Sequence, residues 1–247
     1  MSNKEKIVKI LIQKGKEKLN QPYQKFQFTG DADADELLND LKNYPHAFVL
    51  ACIMDRGMKA EKAWLIPYKI YKEIGDFKLS QLSRLSLDDF KKIFRKKNLH
   101  RYKEKMAEYF YLGLKKIQQE YKGDASNIWK NKPSSSTVVM RFLEFKGVGP
   151  KIATMAANIL AREFKIPMKD YSCIDISPDV HVKRVFKRTG LIKMENDDIL
   201  IYCARELYPK YPGIFDWPAW EIGKNYCHSK KPDCEKCCLN KYCPKEL

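Results

Sequence analysis

The sequence predicts an all-α protein. Apolar residues recur at helical spacing through almost every segment, and no run of alternating apolar and polar residues marks a strand. Helix-start signals add to this. Ser86-Leu87-Asp88-Asp89 offers a capping hydroxyl followed by acids in the first turn, and Pro178-Asp179-Val180-His181 opens a helix in a similar way. At 247 residues the chain has ample length for a core, as one large domain or two small ones.

Taken in order, Ile7, Ile10 and Leu11 mark a first amphipathic helix, followed by a polar stretch through Gly30. Residues 35–41 read as a short helix ended near Asn43-Tyr44-Pro45. Residues 47–53 are apolar all round, the signature of a central buried helix. That run meets a polar break, Met54-Asp55-Arg56-Gly57, which must come to the surface. Helical spacing resumes over 59–74, with Pro67 expected at a kink or in a first turn. Phe90, Ile93 and Phe94 follow the Ser86 start, then the basic stretch Arg95-Lys96-Lys97-Asn98-Leu99-His100-Arg101. A long helix over 102–121 carries Met106, Tyr109, Phe110, Leu114 and Ile117 on one stripe. A short helix holds Ile128 and Trp129, and later helices cover 199–207 and 215–226.

The most informative stretch is Phe145-Lys146-Gly147-Val148-Gly149-Pro150-Lys151, between two apolar helix-like runs. Its glycines permit positive φ and close backbone approach, and Pro150, with no N–H to lose, suits the first turn of the second helix. Two helices joined by such a hairpin leave free amides at a helix N-terminus, a seat for phosphate. Lys151 lies on that first turn.

Lys and Arg number 47 against 31 Asp and Glu, a formal charge of +16. A polyanionic partner is favoured, with nucleic acid ahead of an anionic membrane surface. No apolar run approaches the roughly 20 residues needed to span a bilayer, and the N-terminus lacks the apolar stretch of a signal peptide. A cytoplasmic setting is expected, or a nuclear one if the source has a nucleus. Five of the eight cysteines fall within 227–243, and four of them form C-x6-C-x2-C-x5-C: Cys227, Cys234, Cys237 and Cys243. Clustering of this kind in an intracellular chain points to a metal site, with zinc and an iron–sulfur cube both acceptable to four thiolates. Cys238 is expected to point elsewhere, and Cys52, Cys173 and Cys203 to be core thiols. Lys230 and Lys231 on this loop read as phosphate contacts.

Together, Gly147-Val148-Gly149-Pro150-Lys151, then Asp179-Val180-His181 at a helix start, then the four-cysteine tail resemble the helix–hairpin–helix DNA glycosylases. The cysteine spacing is similar to that of endonuclease III and its iron–sulfur relatives. The resemblance implies two α-helical lobes with a DNA-binding cleft. One is a helical barrel over 35–163; the other combines 1–34 with 164–247 and carries a [4Fe-4S] cluster on the four cysteines. Lys151 takes the position of the family's nucleophilic lysine and Asp179 that of its catalytic aspartate. Gly147, Val148 and Gly149 become DNA-backbone contacts. Leu99, with Asn98 and His100, matches the wedge loop that fills the space of a flipped base, and an exposed leucine there suits partial intercalation. Met54, Asp55 and Arg56 stand where endonuclease III has a glutamine-containing segment.

The chemistry agrees with that assignment. A glycosidic carbon losing its base develops oxocarbenium character, which a nearby carboxylate stabilises. An attacking amine must be unprotonated, and the positive end of a helix in a basic protein favours the neutral form. The activity that the resemblance implies is base excision with AP-lyase strand nicking on damaged duplex DNA, by a monomer, with oxidised pyrimidine as the default substrate. An 8-oxoguanine glycosylase of the same fold, a non-catalytic DNA-damage binder and a zinc-braced nucleic-acid-binding protein are the alternatives. Lys151 argues against a mismatch thymine or uracil glycosylase, and the lack of a further C-terminal domain against an adenine glycosylase. Two departures stand out: Lys146 replaces the usual proline, and 162–177 forms an insert that is expected to border the lesion pocket.

Overall fold

The computed structural model describes residues 1–245. Its helices are α1 (Asn3–Asn20), α2 (Ala32–Asn39), α3 (Pro45–Met54), α4 (Ala60–Trp64), α5 (Ile66–Ile74), α6 (Leu79–Leu82) and α7 (Leu87–Lys96). After these come α8 (Lys103–Glu120), α9 (Ser135–Leu143), α10 (Pro150–Arg162), α11 (Val180–Arg188), α12 (Asp197–Leu207) and α13 (Asp216–Asn225). Short 3-10 turns cover Ala125–Ile128 and Pro212–Phe215, and no strand occurs among the described residues. The all-α expectation holds.

The chain forms two compact units. One contains residues 23–133 and 137–156; the other contains 1–22, 134–136 and 157–247. Helices α9 and α10 each begin in one unit and end in the other.

The first unit is built around α3. All ten of its residues are buried, so the helix is held by apolar burial from every side rather than by one stripe. Phe48 meets Phe28, Trp64, Trp129 and Phe142 at ring-centroid distances of 5.8 to 6.5 Å. On its other side α8 approaches closely at Gly113, where a Cβ would stand 2.8 Å from Ile53 Cδ1. Helix α7 has the expected Ser86 cap, completed as a capping box: Ser86 Oγ accepts from Asp89 N–H and the Asp89 carboxylate accepts from Ser86 N–H. Its Phe90, Ile93 and Phe94 pack inward. The helix expected over 59–74 is instead two, α4 and α5, and Pro67 falls in the first turn of α5, where a missing N–H costs nothing.

In the second unit α11 crosses α13 closely, with Phe186 edge-on to Phe215 at 5.9 Å. Helix α1 packs against α13 and the 212–215 turn. Lys165 adopts φ +57, and its Nζ donates to the carbonyls of Lys18 (3.2 Å) and Leu19 (2.8 Å) at the C-terminal end of α1. Part of the 162–177 segment therefore caps a helix, a packing role that its sequence did not suggest.

Candidate functional site

The hairpin forms as expected. Phe145 is buried, Val148 N–H closes a turn onto its carbonyl at 3.0 Å, and Pro150 opens α10. Gly147 has φ +91, and a Cβ there would fall 2.4 Å from the Tyr109 ring, so both torsion and space require glycine. Lys151, on the first turn of α10, is exposed.

One loop meets this hairpin within the same unit, and a second loop meets the first. Arg56 Nη1 donates to the Gly147 carbonyl (3.0 Å), and His100 Nε2 lies 3.0 Å from the Arg56 carbonyl. His100 Nδ1 accepts from Tyr102 N–H at 2.9 Å. Burial holds the His100 imidazole below its ordinary pKa. Asp55, at the C-terminal end of α3, accepts from Trp64 Nε1 at 3.3 Å. Arg56, Asn98, Arg101 and Tyr102 are exposed around this junction.

Asp179 lies in the other unit. It is the N-cap of α11, with extended backbone and Oδ1 accepting from His181 N–H at 2.8 Å. The same helix reaches the cysteine loop. Arg184 donates to the carbonyls of Cys227 (2.6 Å) and Gly223 (2.9 Å), and Arg188 to those of His228 and Ser229. Cys227, Cys234, Cys237 and Cys243 line one cavity walled by Val185 and Leu239. Arg188 Nη1 is 3.5 Å from Cys227 Sγ. Burial and, after it, the neighbouring cysteines raise the Cys243 thiol. Among the described residues no group of three or more His, Cys, Asp or Glu side chains is gathered tightly enough for a single metal ion. Four thiols around one largely apolar cavity fit a thiolate-ligated iron–sulfur cluster.

No family model and no curated protein matches the chain. Solved structures do. An endonuclease III–DNA covalent intermediate superposes with a TM-score of 0.58, covering 86% of this chain and 92% of that one. A thermostable thymine-DNA glycosylase gives 0.62 over 98% and 96%, and a non-covalent endonuclease III–DNA complex 0.62 over 99% and 97%. The chain has the helix–hairpin–helix glycosylase fold. At 16% identity in each case, the likeness is one of fold.

Within this glycosylase fold several side chains stand differently from expectation. Leu99, expected as an exposed wedge, is 2% exposed. The cause is the end of α7: Asn98 takes φ +49, its N–H bonds to the Arg95 carbonyl (3.2 Å), and Leu99 N–H bonds to the Phe94 carbonyl (3.1 Å). That is a Schellman motif, which turns the following apolar residue back onto the helix. Asn at this position with an apolar successor was the available sequence signal. His100 is likewise buried, and Met54 is fully buried as the last residue of α3, so that of Met54, Asp55 and Arg56 it is Arg56 that is exposed. Cys173, expected in the core, is exposed, whereas Cys52 is buried. Cys238 is exposed and does not line the cysteine cavity. Lys230 and Lys231 are exposed on the loop surface. No helix is long and apolar enough to cross a membrane among the described residues.

Proposed function

We propose that this protein is a base-excision DNA glycosylase with an AP-lyase step, acting on duplex DNA that carries an oxidised pyrimidine. The observation that carries this reading is the exposed Lys151 amine on the first turn of α10, directly after the Gly147–Gly149 hairpin. The hairpin amides and the basic surface receive DNA phosphates, while bound DNA presents the flipped nucleotide. Asp179, held at a helix N-terminus, stabilises the positive charge that develops as the glycosidic bond stretches. The Lys151 amine attacks C1′, and the base departs with the bonding electron pair and takes up a proton. Ring opening leaves an imine between Lys151 and C1′. Loss of a C2′ proton then expels the 3′ phosphate, and water releases the lysine. A [4Fe-4S] cluster on Cys227, Cys234, Cys237 and Cys243 braces the loop that carries Lys230 and Lys231; bound there, the cluster supplies a rigid cross-link among the four sulfurs.

Borohydride trapping on a duplex with one abasic site is the decisive experiment. A covalent adduct is expected, and Lys151→Ala should abolish it while retaining DNA binding. Intact protein that binds the duplex yet forms no adduct would overturn the AP-lyase step, and failure to release a base from a lesion duplex as well would leave a damage-binding protein. The cluster has its own test: purified protein should contain iron and sulfide and absorb broadly in the visible, and Cys237→Ser should lose both. Zinc in a colourless protein would reject the iron–sulfur assignment.

A further inference from the structure

The short segment that delivers Asp179 is clamped almost residue by residue, and every clamp lies within one unit. Gly213 N–H donates to the Ile174 carbonyl at 2.7 Å; a Cβ on Gly213 would meet Asn158 Nδ2 at 2.6 Å. Arg205 grips Asp175 with both prongs, at 2.7 and 2.8 Å. Asp216 Oδ1 accepts from Ser177 N–H at 2.9 Å, and Asp179 N–H then returns to the Ser177 carbonyl at 2.7 Å.

Of these, the Asp216 contact is the closest in sequence to Asp179 and the most elaborately supported. The other Asp216 oxygen lies 3.4 Å from Arg162 Nη1, Arg162 Nε donates to Glu163 (2.7 Å), and Glu163 pairs with Lys18 (3.1 Å). The side chains of Arg162, Glu163 and Asp216 are only 11%, 4% and 14% exposed. Burial pushes the Asp216 carboxyl up, and the Arg162 guanidinium opposes that push. An ion pair of this kind is a poor device for stability alone, because apolar residues of similar volume do as well. What apolar residues could not supply is an acceptor for the Ser177 amide.

We propose that Asp216 is a positioning residue for Asp179, holding the Ser177 amide so that the carboxylate two residues later sits ready at the start of α11, with Arg162 as its counter-ion. This rests on the glycosylase reading above. Its signature is a loss in the rate of base release rather than in DNA binding, and a loss that depends on Asp179.

The test is single-turnover base release from a duplex carrying thymine glycol opposite adenine, with limiting rate and half-saturating concentration measured separately. Asp216→Asn keeps an acceptor for Ser177 N–H and should stay within about threefold of wild type. The paired change Asp216→Leu with Arg162→Met removes the clamp together with its counter-ion, and leaves Glu163 paired with Lys18. Its limiting rate should fall about 10- to 100-fold, the range expected of a small misplacement at a reacting centre. Half-saturation should hold within about twofold, since DNA contacts are untouched. In an Asp179→Asn background the paired change should cost nothing further. An unchanged rate, or an equal loss in that background, would overturn the proposal. If the paired variant does not fold, Asp216→Glu decides: the charge persists but the amide is displaced, and a wild-type rate in that variant would reject the role. Wild-type protein that releases no base, or whose rate is indifferent to Asp179→Asn, would instead sink the glycosylase reading itself.

Discussion

Arg56 and Gly147 are joined by a hydrogen bond from the guanidinium to the carbonyl, 3.0 Å long and 91 residues apart in sequence. His100 closes the knot. Its Nδ1 accepts from Tyr102 N–H, so a neutral ring carries its proton on Nε2 and donates it to the Arg56 carbonyl. Three segments that are separate in sequence (the end of α3, the end of α7 and the hairpin) thereby become one surface, with Arg56, Arg101 and Tyr102 exposed on it.

Arg56→Met tests whether that surface meets DNA. The substitution keeps the aliphatic stem but removes the donor to Gly147 and one positive charge. Arg56 is exposed, so stability in urea should change by less than about 1 kcal/mol. Affinity for a duplex with a stable abasic analogue should fall several-fold, and the salt dependence of binding should flatten by about one phosphate contact. Unaltered affinity and slope would remove this loop from the DNA interface.

A pH dependence follows from two buried histidines. His46 and His100 are 4% and 2% exposed. Both lie below the ordinary histidine pKa, chiefly through burial. The unfolded chain therefore binds protons at a higher pH than the folded one, and stability rises with pH across the window below about 6.5. Stability is full above that window and is lost as the pH falls through the folded-state values. Urea unfolding at pH 5.5 should show a lower stability than at pH 7.5, and His100→Gln should shrink the difference. A flat profile would mean that the rings are not held neutral.

Leu99 separates packing from DNA contact. Because the Schellman motif buries it against its helix, Leu99→Ala should cost about 2–4 kcal/mol as a cavity in the core. Tyr102→Ala, at an exposed side chain, should leave stability nearly unchanged and weaken binding to the lesion duplex. The opposite pattern, a silent Leu99→Ala in unfolding with a large binding defect, would return Leu99 to the wedge role.

The contrast between these residues shows what was legible in the sequence. The Gly147–Lys151 hairpin, the Ser86 and Asp179 caps and the all-buried α3 are local: a glycine with positive φ, a capping oxygen or an apolar run carries its own signal. The exposure expected of Leu99 comes from the resemblance to a wedge loop, whereas Asn98 before it marks a helix end that folds the leucine back. The Asp216–Ser177 clamp had no local sign. It spans 39 residues, and its meaning depends on a backbone amide that no side-chain pattern reveals. The same holds for Lys165, whose amine caps a helix that ends 145 positions earlier at Asn20.

Gly223→Ala tests the frame behind Asp179 from α13. A Cβ on Gly223 would stand 2.7 Å from His181 Cβ and 2.8 Å from the His181 carbonyl oxygen. Since the carbonyl belongs to the backbone, no rotamer change relieves the contact, and α11 must move as a body relative to α13. Overpacking of this kind costs about 1–3 kcal/mol. Displacing α11 also moves its cap, Asp179, and pulls Arg184 from the carbonyls of Gly223 and Cys227. The expected result is a lower urea midpoint together with slower base release and reduced iron content. A variant with lowered stability but wild-type release rate and iron content would show that α11 absorbs the shift without disturbing either end.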